Sequence, residues 1–258
     1  MTDEVKVERH GEHLLIVTLN RPLARNAING PMTQAIAGAV RQAEADDSIR
    51  AVILTAGSND IFCAGADLKE LAAGRVTDMV TAEGGFAGFV RIERKKPWIA
   101  AVAGKALGGG MELSLACDMI VAGQGASFGL PEVLRGIFAG GGGVFRLPRV
   151  IPRAIALEML TTGQPVDAAR AYALGLINRV VATADVLTEA IQIATRIASA
   201  APLAVYETLA IARVASEHTE QELWELSRQI SVRISRSEDF REGPKAFAEK
   251  RTPVWKGR

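Results

Sequence analysis

The chain has only two cysteines, Cys63 and Cys117, in 258 residues, and three histidines, His10, His13 and His218. Two thiols so far apart build neither a disulfide framework nor a CxxC metal site, and the histidines fall at no ligand spacing. A bound metal is therefore not expected. Nor is there a charge excess: 30 basic side chains stand against 29 acidic ones, which gives little electrostatic hold on nucleic acid. No uncharged apolar stretch approaches the roughly 20 residues that span a bilayer. The opening MTDEVKVERH also lacks the basic start and apolar segment of a secretory leader. From these absences a soluble, cytoplasmic protein is expected, with neither a membrane nor a nucleic-acid partner.

What is present is apolar sequence in quantity, 48% hydrophobic against 23% charged, enough for a sizeable core in one large domain with a possible appendage. Residues 5–9 (VKVER) and 14–19 (LLIVTL) have strand character, and the Gly-containing segment from His10 to His13 suits a hairpin turn. From Pro31 to Asp46, Met32, Ile36, Ala39, Val40 and Ala43 recur at helical spacing, which completes a ββα unit. Three later apolar strands end in glycine: AVILTAG at Gly57, WIAAVAG at Gly104 and DMIVAG at Gly123. This weak repetition predicts stacked strand and helix units, an α/β fold. Near residue 184 the pattern changes. Leu187, Ile191, Ala194 and Ala198 mark one amphipathic helix and Leu223, Leu226, Ile230 and Ile234 another, with no strand between or after. A helical tail of this kind either packs on its own core or mediates oligomerisation.

Three stretches carry candidate chemistry. In GKALGGGMELSLACD (104–118) a helix starting near Gly109 would present unpaired amides and the positive end of its dipole, with Glu112 about one turn along. Taken alone, it reads equally as a turn followed by an acid suited to the dipole. In IFCAGADLKEL (61–71) the Ala66 amide is a second potential donor, although a tight turn with Asp67 as helix N-cap explains the same residues. Two amides converging on one oxygen would form an oxyanion hole. In ASFGLPEVLRGIFAGGGG (126–143) Glu132 supplies a second carboxylate, and no basic residue lies between Lys105 and Arg135 to neutralise either glutamate. Paired acids in an apolar site can divide general-acid and general-base roles. Competing motifs fare worse. Gly125 to Gly129 fits G-x-S-x-G around Ser127, but Pro131 follows where a helix should begin. The glycine clusters match neither dinucleotide nor P-loop fingerprints, and Cys63 has no histidine near it in sequence.

Together, LNRPLARNAI, FCAGADLKEL, AVAGKALGGGMELSLACD, SFGLPEVLRGI and the closing GPKAFAEKRTPVWKGR resemble the crotonase (enoyl-CoA hydratase/isomerase) superfamily over essentially the whole chain. The resemblance implies a crotonase-like spiral of repeated ββα units over residues 1–184, carrying the CoA-ester site. It also implies a C-terminal helical oligomerisation region over 185–258, with assembly as a homotrimer or dimer of trimers. It assigns the amides of Ala66 and Gly109 to the oxyanion hole for an acyl-CoA thioester, Glu112 and Glu132 to acid–base chemistry, and the Gly140 amide to the catalytic water. Ala24 and Arg25, the backbone of Ala64, Asp67 and Leu68, and Phe247 with Lys250 from a neighbouring subunit match CoA-contacting positions. No cofactor is implied, coenzyme A being part of the substrate.

The activity expected from this pattern is reversible hydration of a 2-enoyl-CoA, with both glutamates present. A carnitinyl-CoA dehydratase-like substrate preference, enoyl-CoA isomerisation and non-catalytic acyl-CoA binding are the alternatives. Ala139 and Gly141 depart from the usual GIIPGAGG, and Ala103 replaces the usual Asn. EGGFAGF and FAEKRTPVWKGR look like the carnitinyl-CoA dehydratase branch, whose quaternary ammonium substrate would favour an aromatic or acidic partner. Phe86, Phe89 and Phe138 are the candidates.

Overall fold

The N-terminal hairpin forms as its alternation requires. In the computed structural model, which describes residues 4–258, β1 (Val5–His10) pairs antiparallel with β2 (Leu14–Leu19), with Val5 opposite Leu19. Residues 1–3 of the expected 1–184 unit lie outside the described residues. Helix α1 (Gly30–Ala45) starts where the Asn29 side chain accepts the Met32 amide, with Pro31 in the first turn. Its five apolar positions identified by spacing are all buried.

The glycine-ended strands then wind a two-sheet spiral. Strand β3 (Ala51–Ala56) is followed by β4 (Ile61–Cys63) and α2 (Leu68–Ala72). A small antiparallel pair, β5 (Val80–Thr81) and β6 (Gly85–Phe86), precedes the next turn of β7 (Trp98–Val102), β8 (Lys105–Leu107) and α3 (Gly109–Ala116). The third turn runs β9 (Met119–Gly123), β10 (Ser127–Gly129), a 3-10 turn (Pro131–Arg135), α4 (Gly143–Val150) and α5 (Arg153–Thr162). Strands β11 (Val166–Asp167) and β12 (Arg179–Val181) flank α6 (Ala168–Ala173). The strand orders are β1-β2-β3-β7-β9-β12 in a large sheet and β11-β10-β8-β4 in a small one. Each turn gives one strand to each sheet, in parallel with the turn before.

The glycines sit where the chain crosses between sheets. A Cβ on Gly104 would lie 2.2 Å from the Asp60 carbonyl carbon, and one on Gly123 would lie 2.8 Å from the Ala103 oxygen. Successive turns therefore stack backbone on backbone, which only glycine allows.

The large sheet is covered on both faces, so its strands read as continuous apolar runs instead of alternating. One face, including Val52, Leu54, Trp98 and Ala100, packs with α1 into the main core. The other, including Ala51, Ile53, Ile99 and Val121, is sealed by α7 (Val186–Ala198) through Val186, Ala190, Ala194 and Ala198. Three alanines let this helix approach the sheet closely, while Leu187, expected on the buried stripe, is 38% exposed. The first helix beyond residue 184 is thus part of the core. Helix α8 (Pro202–Val214) is tied to the body where Arg213 grips Asp118 at 2.7 and 2.8 Å, the same carboxylate accepting the Trp98 amide. Helices α9 (Glu220–Ser235) and α10 (Glu238–Ala248) follow. Leu223, Leu226, Ile230 and Ile234 on α9 are only half-buried, and Trp224, Phe240 and Phe247 are exposed.

Candidate active site

Two turns of the spiral meet where the sequence is poorest in side chains. Gly65 follows β4 with φ +96°, and a Cβ there would stand 2.8 Å from the Gly109 nitrogen. No other residue combines that backbone conformation with that contact. The strand-like bridge between Ile28 and Ala66 is built by the Ile28 amide donating to the Gly65 carbonyl (2.8 Å) and the Asp67 amide donating to the Ile28 carbonyl (2.9 Å). This pattern skips the amide of Ala66, which has no acceptor among the described residues. Gly109 is the first residue of α3, so its amide has no intrahelical acceptor either. Both residues line one large cavity of about 1820 Å³.

The two glutamates enter the same cavity from α3 and from the 3-10 turn. Glu112 accepts the Gly143 amide at 2.9 Å. A Cβ on Gly141 would come within 2.5 Å of its Oε2, so the glycine at this position leaves room for the carboxylate. Burial pushes the Glu112 carboxyl up to about 7, opposed by the Gly143 amide and reinforced by the charge of Glu132. Burial also raises Glu132, with Arg135 opposing. One Glu132 oxygen, Oε1, is 3.2 Å from where a Gly108 Cβ would be, while Oε2 is buried without a hydrogen-bond partner among the described residues. A buried, unpartnered carboxylate oxygen and two unpartnered amides on the wall of one cavity make a candidate place for a reacting molecule.

No basic residue lies between Lys105 and Arg135 in the sequence, yet bases reach both acids: Arg135 acts on Glu132, and a more distant arginine acts on Glu112. Arg146, on α4, lines the cavity and acts on Glu112 through its charge. Its guanidinium donates to the carbonyls of Gly141 (3.0 Å) and Val90 (2.5 Å), fixing the loop whose amides hold Glu112. Neither this arginine nor Gly65 was identified by sequence reasoning. The available signal was their company: Gly65 stands between two alanines, and Arg146 falls in the first turn of a helix that follows four glycines.

Of the other expected positions, Arg25, Ala64, Leu68 and Gly140 line the cavity, and Ala24 and Asp67 do not. The Asp67 carboxylate is committed elsewhere, capping α2 through the Lys69 amide (2.9 Å) and pairing with Arg21 (2.7 Å). The Gly140 amide donates to the Phe138 carbonyl at 2.8 Å, closing a tight turn, so that donor is engaged in this conformation. Phe247 and Lys250 lie at the end of α10, outside the chain's own cavity. Phe86 and Phe138 line the cavity. Phe89 does not: it is fully buried, edge-on to Trp98 (4.9 Å) and beneath the Arg94 guanidinium (4.1 Å). Ser127 lies within β10 and not on a strand-to-helix elbow. Cys63 is buried, and loss of solvent pushes its thiol up to about 12, so it is no nucleophile. No group of side chains suited to a metal occurs among the described residues, and no single helix among them is long and apolar enough to cross a membrane.

Comparison with known proteins extends this geometry to the whole chain. A family model described as enoyl-CoA hydratase/isomerase matches residues 9–258. The carnitinyl-CoA dehydratase of Salmonella typhi is 42% identical over 263 aligned residues that cover both chains completely. Among solved structures, an enoyl-CoA hydratase from Mycobacterium tuberculosis H37Rv superposes with a TM-score of 0.95 at 42% identity. A carnitinyl-CoA hydratase from Mycobacterium avium superposes with 0.77 at 44%, and both structures are covered from end to end. Agreement of sequence and backbone along the full length means that the two-sheet spiral is the crotonase fold and that the chain belongs to the enoyl-CoA hydratase/isomerase family.

Proposed function

We propose that the chain adds water reversibly to the 2,3-double bond of an enoyl-CoA thioester, as a hydro-lyase. The observation that carries this reading is Glu132 Oε2, buried and unpartnered in the same cavity as Glu112 and the free amides of Ala66 and Gly109. With the thioester oxygen on the two amides, charge developing there is stabilised more in the enolate-like transition state than in the ground state. A donor of this kind is worth roughly 3–4 kcal/mol. The two carboxyls exchange protons with water and with Cα. A carboxyl held near 7 gives up or takes a proton at neutral pH with little penalty, which suits a reaction run in both directions. The addition is syn, and it calls for no cofactor beyond the CoA that the substrate carries.

Support for the CoA-ester assignment comes from the cavity's size and from Arg25, Ala64 and Leu68 on its wall. We further propose a cytoplasmic homotrimer or dimer of trimers in which Phe247 and Lys250 complete a neighbour's CoA site. The exposed apolar side chains of α9 and α10 support this. The test is incubation of purified protein with crotonyl-CoA and with a 3-enoyl-CoA, following the conjugated enoyl-thioester absorbance. Loss of absorbance with crotonyl-CoA is expected. Gain of absorbance with the 3-enoyl ester alone would make the protein an isomerase using Glu132 as proton shuttle. Tight CoA-ester binding without turnover would reduce it to a binding protein.

A further inference from the structure

Charge is unevenly distributed around the cavity. Strand β8 runs from Lys105 to Leu107 and leads into Gly109, with Glu112 one helical turn beyond. Asp60 sits at the start of this path, its carbonyl accepting the Lys105 amide at 3.2 Å. Its backbone therefore stands at the opposite end of β8 from Gly109 and the helix that carries Glu112. A thioester oxygen held by the Gly109 amide divides the cavity, with the acyl chain on the side of the glutamates.

Among the described residues on that side the carboxylates are Glu112 and Glu132, and the guanidiniums of Arg91, Arg135 and Arg146 also line the wall, Arg135 acting on Glu132 through its charge. Arg146 bonds to the Gly141 and Val90 carbonyls, and Arg91 bonds to the Ala82 carbonyl at 2.5 Å. Carbonyls are neutral, and neither arginine is in a salt bridge among the described residues. The charge of Arg91 therefore stays available to whatever enters, and that of Arg146 is shared with Glu112. The aromatic ring nearest Arg146 is already taken: Phe145 has the Arg146 and Arg149 guanidiniums 5.3 and 5.8 Å from its centroid. Phe86 packs against Gly109, at the carbonyl, and Phe138 is 70% exposed. A quaternary ammonium would find like charge here and no dry aromatic face.

We propose that Arg91 and Arg146 make this an acyl site for a chain ending in a carboxylate, and that they discriminate against a quaternary ammonium at the same place. The inference rests on the 2-enoyl-CoA hydratase reading above.

The experiment compares kcat/KM for glutaconyl-CoA, crotonyl-CoA and crotonobetainyl-CoA, which share the reacting bond and differ in terminal charge. The expected order is the order just given, with about tenfold or more between first and last. Arg91→Gln is expected to bring the glutaconyl to crotonobetainyl ratio several-fold closer to one. Crotonobetainyl-CoA equal to or better than crotonyl-CoA overturns the proposal, as does a ratio unmoved by Arg91→Gln. Dissociation constants for glutaryl-CoA, butyryl-CoA and γ-butyrobetainyl-CoA, measured by calorimetry, provide a readout without turnover. If no enoyl ester is hydrated, the hydratase reading fails, and the binding order of these saturated esters still decides the charge preference.

Discussion

Replacing Glu112 by glutamine is expected to stabilise the protein while disabling it. The carboxyl is almost fully buried and held at about 7, against an ordinary value of 4.5. Between those values the folded state binds more protons than the unfolded one, so stability falls as pH rises from about 4.5 to about 7 and is level above that. A shift of this size corresponds to about 3 kcal/mol lost at about pH 8 relative to about pH 4. Glutamine has no charge to desolvate and still accepts the Gly143 amide. Its NH2 must face the Gly141 amide, where two donors meet, which returns about 1 kcal/mol of the gain. The net expectation is a variant about 2 kcal/mol more stable than the parent at about pH 8, and equal or slightly less stable at about pH 4. For a chain of this length that is a rise in Tm of roughly 4–8 °C at the higher pH. Thermal unfolding of both proteins across this range, at fixed protein concentration, is the assay. A Tm difference that does not grow with pH would refute the argument that burial of the charged form dominates this group.

Hydration by Glu112→Gln and by Glu132→Gln should each fall about 10²–10⁴-fold in kcat with modest change in CoA-ester binding, measured by single-turnover kinetics and calorimetry. Near-parental rates in both variants would remove the acid–base assignment. The pH profile of kcat/KM should show an inflection near the Glu112 value of about 7 that disappears in Glu112→Gln, so a profile without one contradicts the geometry. Gly65→Ala places a methyl group against the Gly109 nitrogen at a φ of +96°. Circular dichroism melts should show destabilisation by more than about 1 kcal/mol, and turnover should be lost together with it. Lys250→Ala is expected to raise the Kd for a CoA ester in the assembled oligomer, and an unchanged Kd takes Lys250 out of the site.

Much of the fold was legible because its signals are local. The α1 stripe follows from helical spacing, and the three glycine-ended strands mark the crossings from the large sheet to the small. The small sheet itself was not legible, since strands of three residues such as Ile61–Cys63 and Lys105–Leu107 are too short to display a period of two. The α7 stripe was read one position out at Leu187 and Ile191 because hydrophobicity favours the larger side chains, whereas the smaller Val186 and Ala190 take the buried places and allow close approach to the sheet. In the site, the neighbourhoods of Gly109, Glu112 and Glu132 raised the amides and the two acids only as candidates, and their pairing came from the family resemblance of several stretches together. Phe89 could not be assigned, because only packing tells a cavity wall from a core. The approach of Arg146 to Glu112 joins residues far apart in the chain, and its determinants are the carbonyls of Gly141 and Val90, which have no sequence signature.

The contact between Gly65 and Gly109 has a consequence for how such a protein can change. In the proposed function the donors that polarise the thioester are the amides of Ala66 and Gly109, and the bare backbone packed between their two stretches leaves almost no room for variation there. On the same proposal the wall that meets the acyl chain comes from other segments lining the cavity, around Val90–Arg91 and residues 138–146. Apart from Gly141, Gly143 and Arg146, which hold Glu112 or its loop, side chains of those segments such as Arg91 and Phe138 can be exchanged without touching the contact between Gly65 and Gly109. One half of the cavity is therefore fixed and the other adjustable, and new acyl specificities are reachable by substitutions that leave the activating step intact.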